Sequence, residues 1–232
     1  MDYMMVYSTR FKFKEALSMK SIKKIIAVVM AVVLVFCSFS FVVSAKNDEE
    51  KEYVATVYVC QRATSYYLNG HTWLYFKNLT NHTITVGVYP LPKGQGVSVG
   101  TFGTLVRDGR GLYYNIESYR YNILKWDDFV CLKKNVTEEQ LSKMNWQITR
   151  NGIWTYLLNC SFSAFTTWDI VLGKFVPYLI FPLLARLCIL MYPQHESGFF
   201  MYNPKPDQVF KQVGYGSKAY LKPTDPRHPD WD

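Results

Sequence analysis

Two side chains stand out for the chemistry they could perform: Cys160, within LLNCSFSAFTTW, and His71, within LNGHTWLYF. A thiol acts as a nucleophile when its pKa is lowered, a base lies within hydrogen-bond reach and a third group orients that base. Cys160 meets the first condition if it opens a helix, because unpaired N–H groups and the positive end of the helix dipole then favour thiolate over thiol. His71 follows Gly70 and shares a strand face with Trp73, a setting in which an imidazole at a strand edge reaches a neighbouring helix terminus while aromatic rings restrict water. Of the other histidines, His195 and His228 lie in or near proline-rich segments and His82 falls in a turn. Cys160 has two further readings: half of a disulfide, with Cys131 in FVCLKK as the best-placed partner, or a small apolar core residue.

The elements that must position these groups can be read from periodicity. YVATVYVC has strand composition; HTWLYFKN alternates, with His71, Trp73 and Tyr75 on one face and Thr72, Leu74 and Phe76 on the other. LTNHT leads on into ITVGVYPL, which the pattern pairs with HTWLYFKN as a hairpin. PKGQG is a turn, VSVGTF a short strand, and GLYYNIESYRY a further strand that would carry Asn115 and Glu117. In NVTEEQLSKMNWQITRN, Thr137 and Gln140 form a capping box and Leu141, Met144 and Ile148 fall on one helical face. A second helix is expected over Cys160–Leu172, closed by Gly173, with Ala164, Thr167 and Val171 on the cysteine's face. The period thus changes from strands to helices, which is the signature of an α+β fold with an antiparallel β-sheet packed against a cysteine-bearing helix. VPYLIFPLLARLCILMY is interrupted by Pro177, Pro182 and Arg186, so residues 175–192 read as a buried helix with an irregular approach rather than a membrane span.

The order GHTW, strand meander, GLYYNIE, amphipathic helix, NCSFSAFTTW resembles the circularly permuted NlpC/P60-type papain-like superfamily, over roughly residues 53–173. That superfamily includes the lecithin:retinol-acyltransferase-like group and families of secreted bacterial proteins. In its permuted members the histidine strand precedes the cysteine helix, which is the order found here. The resemblance implies Cys160 as nucleophile, His71 as base, and an orienting group on a strand beside the histidine strand. Glu117 in NIES fills that place, with His82 and Asn115 as alternatives. It also implies a hydrolase or acyltransferase working on an amide or ester, with cell-envelope peptide, lipid or amide as substrate.

Residues 19–45, MKSIKKIIAVVMAVVLVFCSFSFVVSA, have the basic start, apolar run and small-residue end of a bacterial-type signal peptide cleaved after Ala45; residues 1–18 would be an upstream extension. Cleavage leaves 187 residues, the size of one domain, and the first 45 residues hold six of the 26 Lys and Arg and two of the 18 Asp and Glu, so the remainder carries +4. The domain is expected over 46–202, with 203–232 as a loosely ordered tail in which only VFKQV looks packed. The chain is therefore expected to be secreted or associated with the cell envelope. Basic residues are scattered, which speaks against a nucleic-acid partner. There is no CxxC, no HExxH and no histidine pair at helical spacing, so neither metal nor cofactor is implied. Export opens disulfides to Cys60, Cys131, Cys160 and Cys188, with three complete pairings. The rival to an enzyme is a non-catalytic binding module of the same fold presenting Tyr66, Tyr67, Tyr113, Tyr119 and Tyr121; a membrane-associated factor held by 175–192 is a third.

Overall fold

The alternating stretches ATVYVCQRA and GHTWLYFKN become the two long central strands, β1 (Ala55–Ala63) and β2 (Gly70–Asn78), antiparallel along their whole length with Ala55 opposite Asn78 and Ala63 opposite Gly70. They are the heart of a computed structural model that describes residues 51–63, 70–103, 110–125, 128–152, 159–172 and 182–226. These residues belong to one folded unit, Glu49–Asp232. The signal-peptide reading over 19–45, the extension before it, Tyr66, Tyr67, Gly173 and His228 lie outside the described residues.

In chain order there follow β3 (Ile84–Val86), β4 (Tyr89–Leu91), β5 (Gly96–Phe102), β6 (Gly111–Tyr114), α1 (Ile116–Leu124), β7 (Val130–Val136), α2 (Glu138–Ile148), α3 (Cys160–Leu172), α4 (Pro182–Leu190), β8 (Glu196–Ser197), β9 (Phe210–Val213) and β10 (Tyr220–Pro223). Eight strands make one antiparallel sheet in the order β10-β9-β6-β5-β2-β1-β7-β8, so the described residues form an α+β fold built on an antiparallel sheet.

Three expectations need correction. ITVGVYPL does not pair with β2; it folds on itself as the separate β3–β4 ribbon. Gly87, at φ 61°, turns the chain after three residues. Asn145 of α2 then clamps the turn, accepting from the Gly87 N–H and donating to the Thr85 carbonyl, both at 2.8 Å. GLYYNIESYRY is likewise a strand only as far as Tyr114. Asn115 takes a left-handed φ of 69° and starts α1, which buries Ile116 and Tyr119 at helical spacing. The tail from 203 is not a loose cover, because β9 and β10 extend the sheet, with Tyr114 opposite Phe210 and Tyr113 opposite Lys211. Four-residue β6 has an edge to satisfy. Gln212 fastens the added strand by accepting from the Tyr114 hydroxyl at 3.0 Å and donating to the Thr149 carbonyl at 3.1 Å.

The capping box of α2 forms: the Thr137 hydroxyl accepts from Gln140 N–H at 3.4 Å and the Gln140 side chain from Thr137 N–H at 3.1 Å. On one side of the sheet Val57, Val59, Leu74, Phe76, Val97 and Val99 pack with Ala164, Phe165 and Trp168 of α3 and Ala185 and Ile189 of α4. Burying rings such as Phe165 contributes about 1.5–3 kcal/mol each. The other side holds Cys60, Trp73, Tyr75, Phe129, Cys131 and Met201. The expected buried helix in 175–192 is α4 in its described part. No helix among the described residues is long and apolar enough to cross a membrane.

Candidate active site

Cys160 is the first residue of α3, and the reason the helix begins there is Asn159. The Asn159 side-chain oxygen accepts from the N–H groups of Ser161 at 3.0 Å and Phe162 at 3.2 Å, and its carbonyl from Ser163 N–H at 3.0 Å. An asparagine immediately before an apolar-periodic run is a cap signal, so this residue was open to detection from sequence. A buried 2.8 Å hydrogen bond between the hydroxyls of Thr72 and Ser161 pins the helix start to β2. The small Ala164, one turn on, is 4 % exposed and lets α3 lie close to the sheet, as its spacing suggested.

His71 stands near the start of β2, just beyond the last registered β2–β5 pair, Leu74 opposite Val99. Its ring lies 5.8 Å from the Trp73 ring, stacked, and 4.3 Å from Phe102. Nε2 is 2.8 Å from Oε1 of Glu117. The imidazole and the Cys160 thiol also interact, each shifting the other's titration, and with Nε2 engaged by the carboxylate, Nδ1 is the ring nitrogen left to serve the sulfur. Cys160, His71 and Glu117 are thus brought into one group. Their side chains go from nearly to wholly buried: 7 % exposure for Cys160, 14 % for the His71 side chain and none for Glu117.

Burial by itself disfavours charge on either group. It is outweighed here. Hydrogen bonds with Cys160 and Glu117, together with their negative charge, bring the His71 pKa up to about 9. The same contact, with help from the backbone N–H groups of Thr72 and Ser161, brings the Cys160 thiol below its ordinary value despite its burial. The arrangement therefore favours a thiolate–imidazolium pair backed by a carboxylate.

Glu117 reaches His71 from α1 rather than from a neighbouring strand, and a gap in β5 makes this feasible. A Cβ built on Gly100 would overlap Oε1 of Glu117 and lie 2.9 Å from its carboxyl carbon and 3.1 Å from His71 Nε2. Gly100 was not among the residues that the sequence singled out; a glycine inside an apolar strand is the signal that marks a close approach. Of the alternatives for the third position, Asn115 is buried elsewhere, donating to the Tyr89 hydroxyl at 3.2 Å and the Gln208 carbonyl at 2.9 Å. His82 is exposed on the loop after β2 and contacts Asn81 at 3.2 Å. Neither meets the imidazole.

The four described cysteines are free thiols, and Cys131 does not approach Cys160: it projects from the other side of the sheet, opposite Cys60. Among the rings offered as a binding surface, Tyr113 and Tyr119 are buried and Tyr121 is half-buried. A cavity of about 10 Å3 beside Cys160, bounded by Thr72 and Gly100 on the sheet and Ser163 and Thr167 on α3, has room for roughly one water molecule and no more. Among the described residues no group of His, Cys, Asp and Glu side chains is placed to hold a metal ion. No family model, curated protein or solved structure matches the chain.

Proposed function

We propose that this chain is a cysteine-dependent hydrolase or acyltransferase acting on an amide or ester, with a permuted papain-like fold of the NlpC/P60 type, exported to the cell envelope. The observation that carries the reading is the Cys160–His71–Glu117 group, with Nε2 of His71 at 2.8 Å from Glu117 and the Cys160 thiol interacting with the same imidazole. In this scheme the Cys160 thiolate attacks the carbonyl carbon, forming a C–S bond as the carbonyl electrons move to oxygen. The oxyanion is met by the N–H of Cys160 at the helix start. The His71 imidazolium gives its proton to the leaving nitrogen or oxygen as that bond breaks, leaving an acyl-enzyme. Water, or a second nucleophile, then attacks the thioester while His71 takes up its proton, and the thiolate is released. Glu117 acts as a positioning residue, holding the ring with Nδ1 toward the sulfur.

The cavity beside Cys160 is too small for an acyl chain, and of the three side chains it is His71, 14 % exposed, that is most open to an approaching substrate. A formal charge of +4 outside the leader suits an anionic envelope surface, where peptide and lipid-like amides are the substrates that the family resemblance implies. The reading is tested with p-nitrophenyl acetate. A burst of nitrophenol with one acetyl group recovered on Cys160, absent from Cys160→Ala, is the expected outcome; burst and adduct persisting in Cys160→Ala would remove the proposal.

A further inference from the structure

We propose that Cys60 and Cys131 form a disulfide site that staples β7 to β1, independent of the chemistry at Cys160. The two residues are direct partners across the antiparallel β1–β7 pair. Opposed residues in such a pair have Cα atoms about 4.5–5.5 Å apart, within the range of about 4.4–6.8 Å that a disulfide spans. Both are fully buried, on the same side of the sheet, in the cluster that contains Trp73, Tyr75, Phe129 and Met201. The two thiols interact, and Cys131 donates to the Glu196 carbonyl at 3.7 Å. The other two described cysteines are placed differently: Cys160 is engaged with His71, and Cys188 is on α4, which packs on the opposite side of the sheet. Of the pairings that the sequence left open, strand register favours this one.

Burial holds the Cys60 thiol well above its ordinary pKa, so in the closed fold it is a poor nucleophile. Oxidation therefore belongs to folding, before the cluster closes. The oxidant is a disulfide of the exchange type found in oxidising compartments. One cysteine loses its proton and attacks that disulfide, expelling one thiol and leaving a mixed disulfide. The second cysteine then displaces the other half, so that two protons and two electrons leave the pair and one oxidant disulfide becomes two thiols. The staple lies beside the aromatic residues of the candidate site, since Cys60 is opposite Trp73 on the same side of the sheet and Trp73 stacks on His71.

The full chain, unfolded and reduced, is refolded in a buffer of oxidised and reduced glutathione, blocked with N-ethylmaleimide under denaturing conditions and digested without reductant. Mass spectrometry is expected to find Cys60 and Cys131 in one linked pair of peptides, with Cys160 blocked by maleimide. The oxidised chain should unfold at a higher urea concentration than the reduced one, and Cys131→Ala should show no such difference. The iodoacetamide rate at Cys160 should be the same in both redox forms, which separates this bond from the catalytic reading. Maleimide on both Cys60 and Cys131, a linkage that includes Cys160, or equal urea midpoints would overturn the proposal.

Discussion

His71 and Cys160 each hold the other's charge, and this makes their reactivity legible in pH. The folded Cys160 pKa is lowered, so its thiolate is lost as pH falls through that lowered value; the His71 pKa is raised, so its positive charge is lost as pH rises through about 9. Iodoacetamide alkylation of Cys160 is therefore expected to be fast near neutral pH, below the ordinary thiol range, and p-nitrophenyl ester turnover to decline above about pH 9. The stability that His71 gains from its partners should be fully present below 6.5, its ordinary value, and lost as pH rises through about 9. Urea midpoints across that window check this. Glu117→Gln keeps the shape and removes the charge; turnover should drop roughly 10²- to 10⁴-fold and the alkaline limb should move to lower pH. Gly100→Ala should mimic this, because its methyl group occupies the place of the carboxylate oxygen. A Gly100→Ala chain with an unchanged alkaline limb would show that the carboxylate has another route to the ring.

Two helix caps of similar strength should separate stability from chemistry. Thr137→Ala removes half of the α2 capping box and Asn159→Ala removes the acceptor of two N–H groups at the start of α3. Each should cost about 1 kcal/mol in urea unfolding. Only the second should also slow alkylation of Cys160, because a frayed first turn lets the sulfur drift from His71, whereas α2 leaves that turn untouched. Both caps are written locally, as Thr-x-x-Gln before an apolar stripe and as Asn before an apolar run. The helix that carries Glu117, α1, was hidden in NIESYRY, because Ile116 and Tyr119 also suit a strand, and the deciding feature is the left-handed turn at Asn115.

For the whole molecule, the sheet is closed on one side by the chain's own last strands. Ending the chain after Asn203 removes β9 and β10 and opens the β6 edge, so the shortened protein should unfold at lower urea and self-associate, as read by light scattering. An unchanged midpoint would show that the added strands carry no stability. By itself the sequence determined the central strands, the two faces of β2, the capped α2 and the helix that starts at Cys160. All of these follow from periods of two and 3.6 and from caps, which act over a few residues. Only the tertiary structure decided that the carboxylate at His71 comes from a helix 46 positions away, through the gap at Gly100, that VFKQV pairs with β6, and that Cys131 faces Cys60. Periodicity reports which face a side chain takes and is silent on which distant segment will lie against it; that choice is made when the whole sheet assembles.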